Sequence, residues 1–137
     1  MLDTTHPSAI DCLLAAVRAD LDRVQPAQLA EAMAACAIVV DIRPVEQRRR
    51  DGALPGAVVI DRNVLEWRLD PSSPHHIPKA NGTEQRIIVV CNEGFSSSLA
   101  AATLRKLGLP NATDLVGGFQ AWRSAVVPHP RTSQPAQ

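Results

Sequence analysis

Arg86-Ile87-Ile88-Val89-Val90-Cys91-Asn92-Glu93-Gly94-Phe95-Ser96-Ser97-Ser98-Leu99-Ala100 runs from a β-branched stretch into a cysteine, a short polar loop and the start of a helical pattern. A short apolar run of this kind, with a helix behind it, reads as a strand of a parallel sheet buried on both faces. Cys91 therefore stands at the carboxyl end of a strand and ahead of a helix N-terminus. The first amides of a helix have no partners inside it, and the helix dipole is positive at that end. A loop wrapped around Cys91 aims several N–H groups at its sulfur and stabilises negative charge there, which makes the residue a candidate nucleophile. Gly94 supplies the positive φ of a tight anion-cradling turn, and Ser96, Ser97 and Ser98 are candidates to cap the helix and donate hydroxyls.

Outward from this run, strand and helix signals alternate. Towards the N-terminus, Ser8 to Val24 carries Ile10, Leu13, Leu14, Val17, Leu21 and Val24 at helical spacing, with Ser8 and Asp11 marking its start. Its apolar stripe has to pack on the rest of the chain or on a second copy, which would make a homodimer through this helix. A second helix opens at Pro26 and runs over Ala27 to Met33. Ile38 to Val40 is a strand, Pro44 to Arg50 a short helix, Ala57 to Ile60 a strand and Val64 to Leu69 another short helix. Residues 70–82 are too rich in proline for regular structure. Beyond Cys91, a helix from Ser97 to Leu107 ends at Gly108 and Pro110, and Ala112 to Val116 is a last strand. The pattern predicts an α/β fold with a central parallel sheet and helices on both faces, its ligands bound beyond the carboxyl ends of the strands. Residues 1–24 form an N-terminal helical extension, 25–126 the catalytic domain, and 127–137 a tail that reads as disordered.

Composition narrows the function classes. With 137 residues, 45% of them hydrophobic, the chain can bury one core. The formal net charge is +0, and 2 Phe, 2 Trp and no Tyr leave few rings to stack on bases, so Arg48-Arg49-Arg50 reads as a solvated helix face and no nucleic-acid partner is expected. No stretch approaches the ~20 apolar residues needed to span a bilayer, and the first residues lack a basic segment leading into an apolar one. The expected location is the cytoplasm, with no membrane partner. Three unpatterned cysteines fit reduced thiols, and Cys12 and Cys36, set among alanines and aliphatics, read as small core fillers. No Cys-x-x-Cys pair and no phosphate-cradling Gly-x-x-x-x-Gly-Lys occurs, so neither a metal nor a cofactor is expected.

Four blocks carry a family resemblance. Asp41-Ile42-Arg43, Gly52-Ala53-Leu54-Pro55-Gly56-Ala57, the loop Cys91-Asn92-Glu93-Gly94-Phe95-Ser96-Ser97, and Gly117-Gly118-Phe119-Gln120-Ala121-Trp122 follow one another with the order and spacing of a single-domain rhodanese. The chain resembles that sulfurtransferase family over roughly residues 25–125. The histidine common in the second block is Ala53 here. The resemblance implies the three-layer rhodanese-like fold and transfer of a sulfane sulfur, from thiosulfate or a persulfide to an acceptor such as cyanide or a thiol, through a persulfide on Cys91. It makes Asn92, Glu93, Gly94, Phe95, Ser96 and Ser97 the anion-binding loop. Asp41 and Arg43 match the first block, though an Asp/Arg pair at a strand end can as well tie loops together. Arg62 and Arg68 follow the second strand and are candidates for the pocket mouth or for helix-surface charge.

Two rivals remain. Cysteine phosphatases and arsenate reductases of the same fold carry an arginine six residues after the cysteine, to grip a phosphoryl group; that position is Ser97 here, so this activity is not expected. A non-catalytic module, or a relay handing sulfur to a protein acceptor, is the alternative. Glu93, an acidic residue in a loop that must receive an anion, either faces the pocket or points outward onto an arginine.

Overall fold

The computed structural model describes residues 6–126. Four parallel strands, β1 (Ile38–Asp41), β2 (Val58–Val59), β3 (Ile87–Val90) and β4 (Ala112–Asp114), lie side by side in the order β2-β1-β3-β4. Around them run six α-helices: α1 (Ala9–Arg18), α2 (Leu29–Ala34), α3 (Val45–Asp51), α4 (Leu65–Leu69), α5 (Ser96–Leu107) and α6 (Gly118–Val126). Single 3-10 turns, Pro26–Gln28 and Arg62–Val64, lead into α2 and α4. No helix among the described residues is long and apolar enough to cross a membrane.

The period of two along each strand divides the core. Ile38, Val40, Ile87, Val89 and Ala112 turn to one face, where they meet Leu65 and Leu69 of α4 and Ala100 and Leu104 of α5. Val39, Ile88 and Val90 turn to the other, against Leu29 of α2, Phe119 of α6 and Leu54. All four residues of β1 and all four of β3 are buried, as strands covered on both sides must be. The expected α/β architecture, a parallel sheet between two helical layers, is the one observed.

The N-terminal helix is shorter than its periodicity suggests. Ser8 caps it, its Oγ accepting from Asp11 N at 3.1 Å, but α1 ends at Arg18. Val24 then bridges in parallel to Leu115: its N–H donates to Asp114 O at 2.9 Å and its carbonyl accepts from Val116 N at 2.9 Å. Leu21 and Val24 are buried after the helix has ended, so the helical spacing carries on into a segment that is not helical and in which Val24 serves the sheet margin. Packing on α5 buries Leu14 and leaves Ile10 and Leu13 about half exposed.

Cys12 and Cys36 are corrections. Both are exposed, not core fillers. Cys12 precedes the buried Leu14 on the outer side of α1, and Cys36 takes a left-handed φ of 71° in the turn between α2 and β1. Alanine neighbours do not by themselves signal burial, because alanine is favoured in helices for its low entropy cost whichever face it occupies. Residues 127–137, expected to form a tail, lie outside the described residues.

Candidate active site

Cys91 follows β3 directly and is buried, 6% exposed, at the carboxyl edge of the sheet. The loop after it closes back on its sulfur: Gly94 N–H donates to Cys91 Sγ at 3.1 Å. Gly94 holds φ +89°, and a Cβ there would stand 2.7 Å from Gly117 N, so only glycine fits the turn. Two residues later α5 begins, with Phe95 as its N-cap and no side chain capping it. The loop thus leads from the thiol into the N-terminus of a 12-residue helix, whose dipole is positive at that end.

Behind the loop sits the start of α6. Phe119 N–H donates to Cys91 O at 2.8 Å and Gln120 N–H to Asn92 O at 3.0 Å. The Gln120 amide nitrogen also reaches Asn92 Oδ1 at 2.9 Å and Asp51 Oδ2 at 2.9 Å. Asp51 in turn accepts from Arg50 and Arg123, and these contacts, with the Arg50 hydrogen bond foremost, lower its pKa to about 2. α3 and α6 are therefore locked together against the back of the cysteine loop.

A cavity of about 350 Å³ opens over the sulfur, lined by Ile42, Pro44, Gln47 and Phe95 among others. Arg43 also lines it and braces the surrounding structure through Nε and Nη2. Its guanidinium forms a buried pair with Asp41 at 2.8 Å, donates to Gly52 O at 2.9 Å, and lies 3.6 Å above the Phe119 ring centroid. Two buried polar atoms of this lining, Arg43 Nη1 and Gln47 Oε1, have no hydrogen-bond partner among the described residues. Asn92, Glu93 and Ser96 line the cavity too, with Glu93 exposed and in no ion pair among the described residues. Glu93 is not turned away onto an arginine.

Other expected site residues fall elsewhere. The Ser97 hydroxyl, expected to face the anion, is wholly buried and donates to Asp114 Oδ2 at 2.7 Å. Arg62 pairs with Glu66 at 3.0 Å and lines a neighbouring groove that does not contain Cys91. Arg68 donates to His75 O at 2.9 Å and closes the proline-rich loop. Both arginines sit on or next to α4, and each reaches a partner a few residues away before it could reach the cavity.

The family is shown by comparison. The profile of the rhodanese-like domain matches residues 25–125. The chain belongs to that family. A solved protein of unknown function from Rhodopseudomonas palustris, RPA3614, described as a possible tyrosine phosphatase, superposes with a TM-score of 0.77 at 30% identity, covering 93% of this chain and 98% of that one. The thiosulfate sulfurtransferase GlpE of Pseudomonas entomophila is 34% identical over 105 residues, 77% of this chain and 87% of its own length. The adenylyltransferase and sulfurtransferase UBA4 of Candida albicans is 33% identical over 89 residues, and the chain spans only 20% of that protein. Both of these relatives, GlpE and UBA4, are named as sulfurtransferases.

Sequence reasoning missed Arg18, Arg23 and Asp114 behind the loop, and it gave Ser98 as a helix cap or hydroxyl donor without the Asp114 carboxylate that its hydroxyl meets. Asp114 offered a signal, since a carboxylate inside a short apolar strand cannot be buried without a cation. Arg23 supplies it, Nε to Oδ1 at 2.8 Å.

Proposed function

We propose that this rhodanese-like domain is a sulfurtransferase that carries sulfane sulfur on Cys91. The observation that carries the reading is the buried Cys91 sulfur at the base of a small cavity, receiving the Gly94 N–H at 3.1 Å inside a loop that leads into a helix N-terminus. In the first step the Cys91 thiolate attacks the outer sulfur of thiosulfate. The S–S bond of the donor breaks, sulfite leaves with the electron pair, and Cys91-S-S⁻ remains. In the second step an acceptor nucleophile, cyanide or a thiolate, attacks the terminal sulfur and the Cys91 thiolate leaves. Loop amides fixed before the reaction stabilise the anion in both states, because they need no reorganisation as charge moves. Arg43, paired with Asp41 but with its Nη1 unbonded among the described residues, leaves one N–H-bearing nitrogen of its guanidinium in the lining of the same cavity.

A phosphatase reading, raised by the description of the R. palustris protein, lacks its key group. A phosphoryl-transfer loop needs a guanidinium to bind equatorial oxygens in pairs. Position 97 is a serine whose hydroxyl is committed to Asp114. Intact mass after incubation with thiosulfate tests the proposal: a gain of one sulfur atom, reversed by a thiol reductant and absent in Cys91→Ala, is expected. No gain in the wild-type chain, or a gain that survives in a folded Cys91→Ala variant, overturns it.

A further inference from the structure

The carbonyl of Gly94, inside the cysteine loop, is held from outside the matched domain. Arg18 Nη2, at the end of α1, donates to Gly94 O at 2.7 Å, and Arg23 Nη2 donates to the same oxygen at 3.1 Å. Arg18 Nε donates to Ser98 Oγ at 2.9 Å, Ser98 Oγ donates to Asp114 Oδ2 at 2.8 Å, and Asp114 pairs with Arg23. Two guanidiniums, one serine and one carboxylate thus close a network around the back of a single peptide group. The profile match starts at residue 25, so both cations lie before it.

We propose that Arg18 and Arg23 are positioning residues for the sulfur cradle, holding the Gly94–Phe95 peptide so that its N–H faces the inside of the loop. No peptide bond among the described residues is cis, and in a trans peptide the C=O and N–H point in opposite directions. Anchoring the Gly94 oxygen outward therefore aims the Phe95 N–H inward, next to the Gly94 N–H already on the Cys91 sulfur. Hydrogen bonding of a carbonyl to a cation also polarises the amide of the same peptide. Charge adds to geometry: Arg23 is balanced by Asp114, whereas Arg18 meets no carboxylate among the described residues and leaves one net positive charge behind the loop. Arg18 also lies over the face of Phe95, 5.8 Å from the ring centroid, which fixes the side chain at the cavity mouth.

The inference rests on the reading of Cys91 as the sulfur carrier, and alkylation tests it without turnover. In a Cys12→Ser/Cys36→Ser background, the rate of Cys91 modification by iodoacetamide is measured across pH for the parent, Arg18→Met, Arg18→Lys and Arg86→Met, with thermal melts alongside. Arg86 is a control guanidinium that pairs with Asp22 and touches nothing in the loop. The expected result is an Arg18→Met profile displaced to higher pH, with modification near neutrality at least five-fold slower. Arg18→Lys, which keeps the charge but not the fork that reaches both Gly94 and Ser98, falls between, and Arg86→Met matches the parent. Where Arg18→Met does not melt cooperatively, Arg18→Lys carries the test. A folded Arg18→Met, or in its place Arg18→Lys, with the parent's profile overturns the proposal, as does an equal displacement in Arg86→Met. If the parent instead fails to gain sulfur from thiosulfate, the sulfurtransferase reading falls while these profiles still report on the loop.

Discussion

Gly118 lies directly behind Cys91, so close that a Cβ on it would stand 2.5 Å from the Cys91 carbonyl oxygen. Gly118 also adopts a left-handed φ of +63°. Gly118→Ala therefore adds a backbone clash to conformational strain, and the two together are expected to cost about 2–4 kcal/mol. Gly108 has a positive φ of +111° with open space around it, so Gly108→Ala should cost only about 1 kcal/mol of strain. Denaturant unfolding of both variants checks the difference. Transfer activity should fall in Gly118→Ala alone, because only there is the cysteine loop displaced.

Glu93 stands at the cavity mouth without an ion pair among the described residues, and its charge opposes a dianionic donor. Charges about 4 Å apart interact by about 1 kcal/mol in a water-like dielectric, which is roughly five-fold in capture. Glu93→Lys is expected to raise kcat/KM for thiosulfate by at least that factor, with the gain shrinking as salt increases. An organic persulfide should show a smaller change. Steady-state kinetics at two ionic strengths measure it.

Cys36 adopts a left-handed backbone that costs a residue with a side chain about 1–3 kcal/mol. Glycine removes that strain and gives back roughly 0.5–1 kcal/mol in chain entropy. Cys36→Gly should raise the melting temperature by about 4 °C and leave sulfur transfer unchanged. A lowered Tm would show that the turn needs the side chain.

Asp51 carries the acid sensitivity of the loop's support. The Arg50 hydrogen bond first, then Gln120 and Arg123, lower its pKa to about 2. A carboxylate with a depressed pKa contributes stability in full above its ordinary value near 3.9, and loses it as pH falls through the depressed one. The melting temperature should therefore drop between about pH 4 and pH 2. Asp51→Asn should show a smaller drop across the same window, read by thermal melts at both ends.

Much of the fold could be read because β1 and β3 are uninterrupted β-branched runs, buried on both faces, and such runs leave little choice of structure. β2 and β4 came out shorter than their apolar stretches, since Ile60 is buried beyond the strand and Leu115 serves the bridge to Val24. Cys91 and Gly94 were legible from chemistry that lies within four residues. Arg18 and Arg23 were not: on an amphipathic helix an arginine looks like solvated charge, and their partner lies more than seventy residues away. Ser97 misled for the opposite reason. Its position beside the loop suggested a donor to the anion, while burial and Asp114 claimed its hydroxyl.

Val24 has one more consequence. β4 is the last strand on its side of the sheet, and the backbone of Val24 meets the polar groups that it would otherwise offer to any passing chain. A chain shortened to the matched residues 25–125 would uncover that margin and, with Arg23 gone, leave the Asp114 carboxylate buried without its cation. Open strand margins recruit further strands, so the shortened chain should assemble into large particles at concentrations where the whole chain does not. The leading segment then acts as a guard against self-association, a duty distinct from any part it takes in chemistry.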